Sequence, residues 1–171
     1  MGDREIRANN PLGVSKSKTI PFDGIDTTRG IGQKNLFAGT VEFGIDNELG
    51  DELLIFRTMQ DGANAGARLL NSVYFDPPFD SPLTIGDHWA GDTEKKAQLE
   101  KRMSYGRSIS EIMHLPGNSL LIFSRDGVDL MEAISRMENG NALAVSIDPS
   151  IWPVAVVYGL QPFEVIPNET V

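Results

Sequence analysis

A chain of 171 residues with 40% hydrophobic content is one domain, or one domain with an arm. The absence of cysteine excludes disulfides, thiolate metal sites and a cysteine nucleophile. The net charge of −9 disfavours contact with nucleic-acid phosphates, and no apolar run approaches a membrane span.

Residues 1–35 form the first unit. They lack hydrophobic period, are rich in Gly, Asn, Ser and Thr, and carry Pro11 and Pro21 as breakers. Isolated apolar residues such as Leu12, Val14 and Ile20 suit an extended arm that plugs single side chains into a surface. The arm holds six basic and four acidic residues, net +2, whereas residues 36–171 hold nine basic and twenty acidic, net −11. A basic arm fits an acidic surface, including that of a sister subunit. The opening "MGDREIRANN" is too polar for a secretory signal, so the expected location is the cytoplasm or a particle assembled there.

The folded body starts near Leu36. "LFAGTVEFGID" alternates Phe37, Val41, Phe43 and Ile45 with small or polar residues, which predicts a strand at 39–45. "ELLIFRT" predicts a second strand at 52–57, antiparallel to the first across the turn "NELGD". Asp61 stands at an N-cap position before a helix at 62–73. "DPPFDSPLTIGDHWAGD", with three prolines, reads as a long loop of the functional or interface kind. "TEKKAQLEKRMSY" predicts an exposed charged helix over 93–104 capped by Asp92, and "SISE" at 108–111 has capping-box spacing for a further short helix.

"LLIF" then returns at 120–123, again followed by Arg and Asp-Gly, and predicts a strand at 119–124. Asp126 caps a helix over 127–138, with Met131, Ile134 and Met137 on one stripe, and Gly140 stops it. "ALAVSID" and "WPVAVVYGL" predict strands at 142–147 and 154–158, with Pro153 at a strand edge. The sum is an α+β fold: one domain over 36–171 with a mixed sheet covered by helices, preceded by the extended arm.

Candidate sites follow from the same pass. Gly62, Gly66 and Arg68 lie in a turn from Asp61 to Ala67, where backbone N–H groups and a cation could cradle a phosphate. The P-loop ending Gly-Lys-Ser/Thr is absent, and the ordinary reading of the same glycines is a tight turn and close helix packing. His88, with Asp87, Asp92 and Glu94 nearby, holds metal-ligating types without a regular spacing. Tyr74, Phe75, Phe79 and Trp89 bracket the proline-rich loop, as interface anchors or as a satellite core. No nucleophile elbow exists, and Ser108, Ser119 and Ser146 have ordinary cap or strand roles.

The leading functional reading is a non-enzymatic structural or assembly subunit of the phage or viral-particle kind. It self-associates as a homo-oligomer or within a multi-subunit assembly, without cofactor, metal, membrane or nucleic acid. Opposite charge on arm and body, and the want of a catalytic constellation, point there. The alternatives are a small-molecule or phosphate-binding β/α protein using Gly62, Gly66 and Arg68, and a metal-dependent hydrolase around His88.

Overall fold

The first "LLIF" lies at the junction between the leading segment and the body. In the structure, a computed structural model that describes residues 3–31, 43–47, 52–90 and 96–167, all four of its side chains are buried. Strands β1 (Ile45–Asp46) and β2 (Leu53–Leu54) pair antiparallel, with Ile45 opposite Leu54 and Asp46 opposite Leu53. This is the antiparallel pair expected across "NELGD". Residues 32–42 and 48–51, which include most of the expected 39–45 strand, lie outside the described residues.

The leading segment supplies further backbone partners of the first "LLIF". After helix α1 (Asp3–Arg7), the Ala8 carbonyl accepts from Phe56 N at 2.8 Å and the Val14 carbonyl accepts from Leu54 N at 3.0 Å. The Asn10 side chain is fully buried and acts as a piece of backbone. Its Nδ2 donates to the carbonyls of Val14 and Leu54, and its Oδ1 accepts from Val14 N, each at 2.8 Å. Such pairing is what a buried amide requires. Ala8, Leu12 and Val14 are buried, and Arg4 forms a buried ion pair with Asp46 at 3.1 Å. The segment expected as an extended arm thus packs on its own body, and its basic residue meets an acidic one in the same chain.

Around this junction stand α2 (Met59–Val73), α3 (Pro82–Trp89), α4 (Lys96–Met113), α5 (Phe123–Asn139), α6 (Asn141–Ala144) and α7 (Ile151–Leu160). The architecture among the described residues is therefore helical with one small two-stranded sheet, and the mixed five-strand sheet is corrected.

Three expected strands account for the correction. "WPVAVVYGL" is helix α7. Pro153 falls in its first turn, where a missing N–H costs nothing. Ala155 and Gly159, four residues apart, form a small-residue stripe against α2, and a Cβ on Gly159 would stand 2.9 Å from the Ala67 backbone. Close helix packing overrides the β propensity of the valines. "ALAVSI" becomes α6 and a turn, with Ser146 Oγ donating to the Leu143 carbonyl at 2.6 Å. The second "LLIF" alternates in burial, Leu121 and Phe123 in and Leu120 and Ile122 out, and its last residue already belongs to a helix. It pairs with no strand among the described residues. Asp126 Oδ2 accepts from Ile122 N at 2.8 Å, which starts α5 at Phe123.

Helix boundaries shift for similar reasons. Thr58, not Asp61, caps α2, and Asp61 sits in the first turn, where its N–H donates to Thr58 Oγ1 at 3.1 Å. The expected long loop contains α3, opened by a Ser81–Thr84 capping box with Pro82 at the first position. The "SISE" stretch lies inside α4, which runs unbroken to Met113. Asp92 lies outside the described residues. Gly140 ends α5 with φ of 77°, a left-handed value that suits glycine. Leu130, Met131 and Ile134 are buried on the α5 stripe, with Met137 packed at its margin.

Candidate functional site

The glycines proposed to admit a phosphate lie inside α2, not in a turn. An added Cβ at Gly62 would stand 1.9 Å from the Asn9 carbonyl oxygen, and one at Gly66 would stand 2.2 Å from Leu12 Cδ1. The space a ligand would need is filled by the leading segment, so these two glycines seat the chain on itself.

Arg68, one turn after Ala65, is buried. Its guanidinium lies over the rings of both Tyr158 and Phe163, 4.5 and 4.7 Å from their centroids. Nη1 donates to the Pro21 carbonyl at 2.6 Å, and Nη2 lies 3.7 Å from Asp23 Oδ2. The Tyr158 hydroxyl donates to the same Asp23 oxygen. Burial, with the Asp23 carboxylate next in effect, pushes the Tyr158 pKa up to about 12. A planar cation in contact with two rings holds both terminal segments on the α2–α7 pair.

The aromatic residues collect under α3. Tyr74 is buried, and its hydroxyl lies 2.9 Å from His88 Nδ1. Phe79 stacks obliquely on the His88 ring at 4.4 Å, Trp89 approaches Tyr74 at 6.0 Å, and Phe75 meets Phe123 edge-on at 5.3 Å. Phe75, Phe79 and Trp89 are partly buried against the main core. His88 is exposed on the last turn of α3, with its Nδ1 against the Tyr74 hydroxyl. Among the described residues, no group of three His, Asp or Glu could hold a metal ion. Asp92 and Glu94 lie outside them.

A second polar pair sits deeper. Tyr105 donates to Glu138 Oε1 at 2.7 Å, joining α4 to α5. Burial raises the pKa of Glu138, and the neighbouring Glu5 adds to the rise. Burial, then the Glu138 charge, raises Tyr105 well above its usual value.

The exposed surface includes an apolar face on α7. On α7, Trp152, Ala155, Val156 and Gly159 face the core. On the opposite side Val154, Val157 and Leu160 are 52%, 61% and 50% exposed. At the C-terminal end of α7 an open groove of about 650 Å³ runs between the end of α2 and the following tail, with Val73, Leu160 and Val165 among its walls. Sequence reading missed this surface by placing these valines in a strand. The available signal was charge: residues 149–163 carry none. A helix apolar on every side is normally covered on every side.

The chain matches no protein-family model and no curated protein. No helix among the described residues is long and apolar enough to cross a membrane.

Proposed function

We propose that this protein is a non-enzymatic structural subunit that associates with copies of itself, as in a phage or viral particle. The observation that carries the reading is the bare outer face of α7. Three half-exposed aliphatic side chains on an uncharged helix leave apolar area in water, and covering it stabilises by on the order of 1 kcal/mol per side chain. The candidate ligand positions support the same reading, since Gly62, Gly66 and Arg68 are taken up by Asn9, Leu12, Pro21 and the flanking rings.

Light scattering of the full chain over a range of concentrations tests it. A mass that rises to a multiple of 18.7 kDa is the expected result. A strict monomer at every concentration removes the proposal.

A further inference from the structure

Resting on the reading above, we infer that two copies meet through α7 in a two-fold pair, each helix laid across its counterpart and each tail groove receiving the partner's edge.

Charge selects the occupant. Residues 149–163 are uncharged within a chain of net charge −9. Two such chains repel, and they approach at least cost where neither presents charge. A strongly basic or acidic partner would find no counter-charge on this helix. A lipid surface is disfavoured as well: helices that lie on membranes carry Lys or Arg beside their apolar face, and this one has none. A second copy of the same neutral face needs neither.

Geometry sets the symmetry. Val154, Val157 and Leu160 follow one i, i+3 row, a ridge of the kind that packs between the ridges of another helix. In an isologous pair the middle residue, Val157, lies nearest the axis and meets its own copy. Helix α7 has ten residues, about 15 Å of length, which is short for the roughly 800 Å² per partner of a stable interface. The groove supplies the remainder. It continues from Leu160 to Val73 and Val165, and Ser72 and Gln161 give it a polar margin, so the surface has the apolar centre and polar rim of an interface.

The chain lacks cysteine, so a single introduced thiol reports on symmetry without background. The full-length chain is prepared as Val157→Cys, as Val154→Cys on the same face, and with exposed Glu111 of α4 changed to Cys (Glu111→Cys) as a control, then oxidised mildly and resolved without reductant. Val157→Asp is compared with wild type by light scattering, with circular dichroism as the check on fold. The expected result is a disulfide-linked dimer for Val157→Cys at least tenfold above the Glu111→Cys control, and a shift of Val157→Asp to the monomer mass with an unchanged spectrum. A wild type that is multimeric, with no excess cross-linking on α7 and no effect of Val157→Asp, overturns this pairing and leaves self-association standing. A monomeric wild type without cross-linking overturns both. Flotation of monomer with phosphatidylcholine–phosphatidylglycerol vesicles, lost in Val157→Asp, would assign the face to lipid and overturn the pairing.

Discussion

Replacing Gly62 with alanine pits helix propensity against the seating of the leading segment. On propensity alone, Gly→Ala inside a helix stabilises by about 1 kcal/mol. The new methyl, however, would stand 1.9 Å from the Asn9 carbonyl oxygen and 2.9 Å from the Asn9 carbonyl carbon. These are backbone atoms, so no rotamer change relieves the clash, and the segment must lift by more than an ångström. That shift strains the bonds of Ala8 to Phe56, of Val14 to Leu54 and of the Asn10 amide to Leu54, each worth about 1 kcal/mol. It also loosens Leu12 and Val14, whose full burial contributes roughly 1.5–3 kcal/mol each. A net loss of about 3–5 kcal/mol is expected, capped by the free energy with which the segment docks. Gly66→Ala is the internal comparison. Its methyl would meet the tip of the Leu12 side chain at 2.2 Å, which can rotate. Overpacking of about 1–3 kcal/mol, offset by propensity, leaves a loss of roughly 0–2 kcal/mol. Urea melts give the magnitudes, and amide exchange at residues 8–14 localises the damage. A Gly62→Ala variant as stable as wild type, or less affected than Gly66→Ala, would show that the segment is not seated on α2 as described.

Three further outcomes are expected. Ile134→Ala, at a fully buried position on α5, should cost about 2–5 kcal/mol, against under about 0.5 kcal/mol for Glu132→Ala; melts at two protein concentrations should shift alike, and a concentration-dependent loss would place Ile134 in an interface instead. Arg68→Lys keeps the charge but loses the planar contact with both rings, so protection from amide exchange should fall at 19–25 and 161–167 together, at a cost of about 1–3 kcal/mol; loss at one segment only would refute the joint clamp. Glu138 has a raised folded pKa, so the native state holds its proton more tightly than the unfolded chain does. Its favourable contribution is full below the unfolded value near 4.5 and is lost as pH rises through the folded value. Glu138→Gln keeps an acceptor for the Tyr105 hydroxyl, and should flatten the fall of stability above that pH in urea melts run as a pH series; an unchanged slope contradicts the assignment.

Local signals in the sequence determined what depends on local physics. The stripe of Leu130, Met131 and Ile134, the stop at Gly140 and the antiparallel pairing of the first "LLIF" all follow from periodicity, a left-handed glycine and a short turn. The Ser81–Pro82–Thr84 start of α3 was equally local, but the prolines around it read as loop. The rest was decided by which surfaces meet. Two nearly identical apolar stretches part ways because 53–56 finds β1 on one side and the leading segment on the other, whereas 120–123 has Asp126 to draw its backbone into a helix. "WPVAVVYGL" has strand propensity, yet Ala155 and Gly159 let its backbone approach Ala67 so closely that the helix wins. Gly62 and Gly66 have the composition of an anion-binding turn, and only the position of Asn9 and Leu12, more than fifty residues earlier, assigns them to packing. Whether a glycine or a valine run faces ligand, core or solvent depends on neighbours distant in the chain, and short-range pattern carries no information about those neighbours.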